Sequence, residues 1–151
     1  MQNSAQSPAE NSTTEHWQQR SGLPGEALAI AAIRAAIDKK GLDVRALNIS
    51  RLSDVADYFV IISGTSERHV KGLADHIKEE LLKAGESPLA KSGYEGGEWI
   101  LLDYGDVVVH LFYEPTRQHY RFDELWQRGT AVQLPEDMEQ ELRKLRTGIY
   151  R

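Results

Sequence analysis

Residues 98–112 read EWILLDYGDVVVHLF, which is two apolar runs on either side of Tyr104-Gly105. Paired runs rich in β-branched and aromatic residues are typical of a β-hairpin, and glycine favours the turn because it takes positive φ without strain. The pattern predicts strands over residues 98–103 and 106–112, joined by a two-residue turn. This hairpin is the starting point of the predicted sheet.

The predicted register places the hairpin side chains on two unequal faces, because successive residues of a strand point to opposite sides. Asp103 then faces Asp106, and Trp99 faces His110. One face is uniformly apolar and suits a core: Ile100, Leu102, Val107, Val109 and Leu111. The other, called the mixed face, carries aromatic, aliphatic and titratable side chains: Trp99, Leu101, Asp103, Asp106, Val108 and His110.

The mixed face predicts a protein-binding surface. It is a poor core, since charged side chains are almost never buried unpaired, and it is more apolar than ordinary solvated surface. A large aromatic residue rimmed by carboxylates is typical of a surface that binds a basic partner. The predicted partner-binding residues are Trp99, Leu101, Asp103, Asp106 and His110, with Tyr104 at the hairpin tip and Glu95 in a flexible connector. An equally open alternative is that the first or the last helix covers Trp99 and Leu101 within the same chain.

The sequence around the hairpin predicts a mixed sheet packed by helices. Residues 58–63 (YFVIIS) are apolar on both faces, as in a central strand. Ser66 is suited to cap a helix that ends near residue 84 and buries an apolar stripe: Val70, Leu73, Ile77 and Leu81. Hydrophobic spacing also predicts a helix over 25–40, a strand over 44–49 and a helix over 122–127 that buries Phe122, Leu125 and Trp126. This order of elements is typical of the α/β class.

Three segments are predicted along the chain. Residues 1–22 are expected to form a disordered tail, because they offer too little apolar surface to offset the entropy of ordering. Residues 23–130 form the main domain. Residues 131–151 are expected to form an amphipathic helix with apolar residues at spacings of 4, 4, 3 and 4: Leu134, Met138, Leu142, Leu145 and Ile149. Packing of this helix on its own domain is favoured over a dimer or partner contact.

Composition limits the classes of function. The 151 residues include 23 acids, 18 Lys or Arg and no Cys, for a net charge of −5. No apolar run approaches the roughly 18 residues of a membrane span, and thiolate or disulfide chemistry is excluded. The acidic chain lacks the basic footprint of a protein that binds the phosphate backbone, so little direct nucleic-acid binding is expected. A cytoplasmic protein with a basic protein partner and no membrane association fits this composition.

Candidate catalytic and metal-binding patterns are weak. Asp103 and Asp106 could share a metal ion, but a catalytic metal site needs several converging carboxylates, and the sequence contains no HExxH motif. The turn Gly64-Thr65-Ser66 precedes a helix and could cradle a phosphate, yet it lacks the glycines and the lysine of a P-loop. We therefore predict no catalytic residue, no metal site and no cofactor.

Three blocks of the sequence resemble the ribosomal silencing factors of the Iojap family. They are SRLSDVADYFVIISGTSERHVKGLADHI at 50–77, EWILLDYGDVVVHLF at 98–112 and RQHYRFDELW at 117–126. The resemblance extends over about residues 25–128. It departs from the family pattern at 119–123, where HYRFD stands in place of the commoner Tyr-Tyr-Asp-Leu-Glu, so contacts made by the replaced residues are not carried over.

The resemblance implies a nucleotidyltransferase-like α/β fold and a regulatory, non-enzymatic role. Members of the family bind the large ribosomal subunit at the protein called L-fourteen, hinder joining of the small subunit and so repress translation; some form homodimers. The aspartate pair with which nucleotidyltransferases hold metal does not follow the turn at Gly64. One alternative function is a metal-dependent nucleotidyltransferase, and another is an RNA-binding module whose affinity falls steeply with salt.

Overall fold

The computed structural model describes residues 23–146. Within this range the chain forms six strands, β1 (Leu42–Asn48), β2 (Tyr58–Gly64), β3 (Ala90–Ser92), β4 (Trp99–Asp103), β5 (Val107–Tyr113) and β6 (Thr130–Ala131). It also forms five helices, α1 (Gly25–Asp38), α2 (Glu67–Lys83), α3 (Glu114–Tyr120), α4 (Phe122–Leu125) and α5 (Glu136–Arg146). The strands form one sheet in the order β3-β4-β5-β2-β1-β6, in which β2 and β5 are parallel and the other neighbours antiparallel. The predicted mixed sheet packed by helices is confirmed.

Strand β2 lies inside the sheet, between β5 and β1. Every residue from Phe59 to Gly64 is buried, because helices cover one face of the strand and aromatic side chains cover the other. A strand that is covered on both faces has no polar side to alternate with its apolar side. The central strand predicted from YFVIIS is therefore confirmed.

Helices α1, α2 and α5 pack on one face of the sheet and enclose the main core. The hydroxyl of Ser66 accepts a hydrogen bond from the His69 N–H at 3.0 Å and caps α2, as predicted. The predicted stripe of α2 is completely buried: Val70, Leu73, Ile77 and Leu81. The apolar face of the hairpin packs into the same core through Ile100, Leu102, Val107, Val109 and Leu111. This face of the sheet is closed.

Helix α5 contains most of the apolar stripe that was predicted near the C-terminus. Three of its residues lie in the main core: Met138, Leu142 and Leu145. The favoured packing of this helix on its own domain is confirmed. Ile149 and the predicted tail over residues 1–22 lie outside the described residues. The division of the chain at residue 130 stays a prediction.

The short helices α3 and α4 lie on the other side of the sheet, against the mixed face. Arg121 separates them with a left-handed φ of 50°, which ends α3. Phe122 begins α4 and is buried, whereas Leu125, which was expected to be buried with it, is 69% exposed. Together with the sheet, this segment builds an aromatic cluster: Phe59, Trp99, His110, Phe112, Phe122 and Trp126.

The hairpin turn lies one residue further along the chain than predicted. The Tyr104 N–H donates to the Val107 carbonyl at 2.8 Å, so that Gly105 and Asp106 are the two turn residues. Gly105 has a φ of 94°, a conformation that L side chains rarely adopt. The predicted turn Tyr104-Gly105 was therefore wrong by one position.

The cross-strand partners change with the turn, although the faces do not. Trp99 pairs with Phe112 instead of His110, and Asp103 pairs with Val108. The register differs from the predicted one by two residues, and side chains alternate with a period of two. The two faces of the hairpin consequently stay as predicted for the residues of β4 and β5, whereas Asp106, predicted on the mixed face, lies in the turn next to Gly25 of α1.

Two short strands were missing from the prediction. β3 pairs with β4 inside the segment that was predicted as a connector, and β6 pairs with β1. Strand β3 has three residues and β6 has two, all of them exposed. A segment this short and exposed has no apolar alternation from which a strand can be predicted.

Candidate partner-binding surface

Trp99, the predicted anchor, lies on the mixed face of β4 and is half-buried. The centroid of its ring lies 4.7 Å from that of Phe112, 5.3 Å from Tyr120 and 5.6 Å from Phe122. These rings belong to β5 and to the α3–α4 segment, and not to the first or last helix that was considered as a cover. The indole is thus supported by its own chain and keeps part of its surface accessible.

Leu101 and Asp103 follow Trp99 along the same face of β4, and all three are half-buried. The Asp103 carboxylate accepts a hydrogen bond from the Gly105 N–H at 2.8 Å. This bond stabilises the hairpin turn, which lies at the opposite end of β4 from the anchor. β4 therefore presents an aromatic, an aliphatic and an acidic side chain in a row.

The end of the sheet at the hairpin turn is more acidic than the hairpin sequence alone indicates. The Asp106 carbonyl accepts hydrogen bonds from the Asp57 N–H at 2.9 Å and the Tyr58 N–H at 3.0 Å. Burial, followed by the charges of Glu26, Asp57 and Asp106, raises the pKa of Tyr58. Glu26 and Asp57 were absent from the predicted site. Glu26 lies in the first turn of α1 and Asp57 just before β2, so the two are far apart in the sequence. Only the fold brings them close to Tyr58 and Asp106.

Tyr104 is not at an exposed tip, so this part of the prediction was wrong. Its side chain is 1% exposed and belongs to the main core. Tyr104 lies two residues after Leu102 and four after Ile100, so its side chain points to the same side of the sheet, toward the helices. Burial, and then the charge of Glu86, raises the pKa of Tyr104 to about 12.

His110 lies within the aromatic cluster and is 4% exposed. Its Nδ1 accepts a hydrogen bond from the Trp99 indole Nε1–H at 3.2 Å. Burial lowers the pKa of His110 to about 4, so the imidazole is neutral at pH 7. Burial of this degree is incompatible with the predicted direct contact between His110 and a partner.

Glu95 lies in the loop between β3 and β4 and is exposed. The preceding residue fastens this loop to α2, because the Tyr94 hydroxyl donates to the Asp75 carboxylate at 2.9 Å. The Nζ atoms of Lys71 and Lys78 lie 5.7 and 5.3 Å from the centre of the Tyr94 ring. The residue before Glu95 thus contacts α2, and the flexibility predicted for this connector stays a prediction.

A buried arginine fixes the α3–α4 segment on the sheet. The Arg117 guanidinium binds the Asp123 carboxylate through two hydrogen bonds of 2.7 and 2.8 Å. Its third nitrogen donates to Ser63 Oγ at 2.9 Å and to the Asp43 carbonyl at 2.8 Å. The bond from Arg117, aided by Arg45, lowers the pKa of Asp123 to about 2. This network holds the backbone next to Phe122, and hence one wall of the Trp99 environment.

The turn after β2, considered as a phosphate site, is hydrogen-bonded within the chain. Ser66 caps α2, and the Thr65 N–H donates to His69 Nδ1 at 2.9 Å. In the part of the chain that the structure describes, no three His, Asp or Glu side chains are grouped closely enough to hold a metal ion. Of the candidate functional residues, the structure therefore places Trp99, Leu101 and Asp103 in a row on one face of β4, and Asp106 follows in the turn.

The family of the chain follows from its sequence. A family model described as "Ribosomal silencing factor during starvation" matches residues 24–148. The chain belongs to this family. The match extends beyond residues 25–128, over which the motifs were recognised, and it includes α5.

Individual relatives agree with this membership. The chain is 37% identical over 112 residues to a ribosomal silencing factor of Halalkalibacterium halodurans, an alignment that covers 74% of this chain and 96% of the relative. It is 31% identical over 116 residues to the chloroplastic protein Iojap of Zea mays, covering 75% of this chain and 49% of that protein. A crystal structure of a protein from Chromobacterium violaceum superposes with a TM-score of 0.68 at 34% identity, covering 76% of this chain and 92% of the other. The Iojap-family resemblance is confirmed.

Proposed function

We propose that this protein is a translation repressor that binds the large ribosomal subunit at its protein L-fourteen and sterically blocks joining of the small subunit. Membership of the silencing-factor family supports a ribosomal target. The chain's own contribution is the surface on the hairpin, which has the chemistry to bind a basic protein.

The observation that carries the proposal is the half-buried Trp99 in a row with Leu101 and Asp103. The rings around Trp99 hold the indole in place before binding, so that little side-chain entropy is lost when a partner covers it. Aromatic residues of this kind dominate binding energy, and truncating one commonly costs about 2 kcal/mol or more. Trp99 is the proposed anchor, and Leu101 extends the apolar contact.

The charges at the hairpin end of the sheet, at the opposite end of β4 from the anchor, favour a basic partner. Asp103 and Asp106 lie at the hairpin turn, and Glu26 and Asp57 lie close enough to influence the same tyrosine as Asp106. A negative surface attracts Lys and Arg, which increases the association rate and the salt dependence more than the affinity. A ribosomal protein that contacts RNA phosphates carries the complementary charge. Glu95 lies on the adjoining loop and is a secondary candidate.

Co-sedimentation with purified large ribosomal subunits tests the anchor. Trp99→Ala should weaken binding about 30-fold, since loss of an aromatic anchor removes about 2 kcal/mol. Leu82→Ala is the matched control, because Leu82 is an exposed apolar residue of α2 on the opposite side of the sheet. Unchanged binding by a folded Trp99→Ala protein would show that the proposed surface is wrong.

Two charge variants test the acidic part of the surface. Asp103→Asn/Asp106→Asn removes two charges at the hairpin, and asparagine can still accept the turn hydrogen bond at position 103. Glu79→Gln/Glu141→Gln removes the same charge from α2 and α5. The hairpin variant should associate more slowly and lose salt dependence, whereas the control should match the wild type. Equal salt dependence in all three proteins would contradict an electrostatic role for the hairpin.

The steric mechanism needs a separate measurement. Addition of the protein to separated subunits should reduce the fraction of assembled ribosomes on a sucrose gradient, and Trp99→Ala should restore it. Binding without any effect on subunit joining would exclude the steric block while leaving the docking surface intact.

We further propose that the fold is nucleotidyltransferase-like but carries no catalytic activity and needs no cofactor. The parallel pair β2 and β5 and the glycine turn that leads from β2 into α2 support the fold class. The internal hydrogen bonds of Thr65 and Ser66 support the absence of a phosphate site at that turn. Calorimetric titration with Mg²⁺ and nucleoside triphosphates should give no binding heat, and saturable heat would favour an enzyme.

The proposed location is the cytoplasm, where ribosomal subunits join. Within residues 23–146, none of the helices combines the length and apolarity needed to cross a bilayer. Homodimer formation, which the resemblance implies for some members, is tested by sedimentation equilibrium of the free protein. Little binding to naked RNA is expected from the net charge of −5.

A further inference from the structure

A hydrogen bond joins Trp99 to His110 inside the aromatic cluster. The indole Nε1–H donates to His110 Nδ1 at 3.2 Å, and the two ring centroids are 6.1 Å apart. Trp99 pairs with Phe112 and His110 pairs with Leu101 on the neighbouring strand. The two residues are therefore diagonal neighbours on one face, and the strand register brings them together.

The surrounding rings hold the imidazole of His110 in place. Its centroid lies 4.5 Å from that of Phe59, in an edge arrangement, and 4.7 Å from that of Phe122. Phe112 is stacked at 6.3 Å with an interplanar angle of 14°. His110 is thus packed from β2, β5 and α4, whereas Trp99 is only half-buried. The buried imidazole of His110 is therefore fixed, and its hydrogen bond can orient the less buried indole of Trp99.

The hydrogen bond also determines where the His110 proton lies. Nδ1 accepts a hydrogen bond from the indole N–H, so it must carry the lone pair, and the neutral ring is protonated at Nε2. Among the described residues, Nε2 has no hydrogen-bond partner, although it is buried. A buried donor without a partner destabilises the fold, and a phenylalanine would pack here without that penalty. Packing alone therefore does not account for a histidine at this position.

We propose that His110 is a positioning residue that orients the Trp99 indole for the partner, so that the partner contacts the indole ring and not its N–H. This inference rests on the proposed function. Because the indole N–H is already bonded, the partner needs no acceptor at this point. The ring offers a π-surface, which suits the guanidinium of Arg or the ammonium of Lys. Asp103 lies further along the same face of β4, where it would bind a second cation of the partner.

Two substitutions separate the hydrogen bond from the packing. His110→Phe keeps an aromatic ring and removes the acceptor. His110→Asn removes the ring but places an amide oxygen the same number of bonds from the backbone as Nδ1. Proton–nitrogen NMR of labelled protein, with the Trp99 Nε1–H signal assigned by Trp99→Phe, reports the bond directly. His110→Phe should shift this signal and speed its solvent exchange by about tenfold, and His110→Asn should retain protection.

Affinity for purified large subunits gives the functional measurement. His110→Phe should bind about fivefold more weakly, as expected for loss of one neutral hydrogen bond, and His110→Asn should bind within about twofold of the wild type. Ile61→Val is the control for stability, since Ile61 is buried in the same cluster and contributes no polar atom to the bond. This control should lose stability and keep its affinity.

A double-mutant cycle completes the test. In a Trp99→Phe background there is no indole N–H, so His110→Phe should cause no further loss of affinity. The same fivefold loss in that background would overturn the positioning role, as would an unchanged Trp99 Nε1–H signal in His110→Phe. If that signal changes while His110→Phe and Trp99→Ala both bind normally, the proposed function fails instead.

Discussion

The two faces of one sheet differ in how they are closed. The helix-covered face packs fully buried aliphatic residues such as Ile100 and Leu111 against α1, α2 and α5. The mixed face packs aromatic rings around a buried histidine and leaves Trp99 and Leu101 half-buried. One face is closed mainly by aliphatic packing, whereas the other combines packing with polar bonds that have fixed directions.

The difference shows how a single sheet can serve both stability and binding. Aliphatic contacts on the helix side have no directional requirement, so they contribute mainly burial energy. On the mixed face, the Trp99–His110 bond and the Arg117–Asp123 pair specify the positions of particular side chains. We expect substitutions on the first face to change stability and substitutions on the second to change the shape of the binding surface as well.

The largest expected effect is on the helix-covered face. Ile77→Ala removes a fully buried side chain and should lower the free energy of unfolding by about 2–5 kcal/mol. Leu101→Ala on the mixed face removes a half-buried side chain and should cost less than about 1.5 kcal/mol. Urea unfolding of both variants measures the contrast. Equal losses would show that the two faces are closed to the same degree.

Acidification should lower the free energy of unfolding through His110 on the mixed face. The pKa of His110 is lowered from 6.5 to about 4 by burial, so the unfolded chain takes up a proton before the folded protein does. Above pH 6.5 the titration of His110 does not affect the free energy of unfolding. As the pH falls from 6.5 to 4, this free energy decreases by about 3 kcal/mol. Unfolding free energies measured from pH 7 to pH 4 test this.

His110→Phe is the control for the pH experiment. The variant lacks the titrating group, so its stability should fall less between pH 6.5 and pH 4 than that of the wild type. Asp123 affects stability in a lower pH range, because its pKa is lowered to about 2 in the folded protein. The stability that its ionised carboxylate contributes is present above pH 4 and is lost as the pH falls toward 2. Identical pH profiles of the two proteins would contradict the buried, neutral state of His110.

The ion pairs of the α3–α4 segment are expected to give effects of moderate and small size. Asp123→Asn leaves the buried Arg117 charge without its carboxylate and should cost about 2 kcal/mol, less than a fully buried pair because Asp123 is partly exposed. Arg45→Ala removes the more exposed partner of the same carboxylate and should cost less than about 1 kcal/mol. A shift of the Trp99 Nε1–H signal in Asp123→Asn alone would show that the segment shapes the binding surface.

Local patterns predicted the parts of the fold that depend on neighbouring residues. The α2 helix was predicted from its Ser66 cap and its apolar spacing, because both act within a few turns of the same helix. The hairpin faces were correct although the turn was not, since a shift of two residues preserves the alternation. In contrast, Tyr104 looked like a turn residue and is a core residue, because the next two positions form the turn.

Elements without a local signal were missed. Helix α3 has seven residues, and Pro115 is the second of them. It buries Arg117 instead of an apolar stripe. The partners of that arginine, Ser63 and Asp43, lie 54 and 74 residues away in the chain. No periodicity within residues 114–120 can indicate those contacts. The acidic neighbours Glu26 and Asp57 of the hairpin escaped prediction for the same reason.

The sequence by itself determined the alternation of side chains on each strand, the amphipathic helices and the membership of the family, because these depend on residues close together in the chain or on the motifs as a whole. Only the tertiary structure decided how far each face is covered, which of the predicted site residues are accessible, and that His110 binds the Trp99 indole. Coverage depends on segments far apart in the chain, and the contribution of each contact depends on the packing around it.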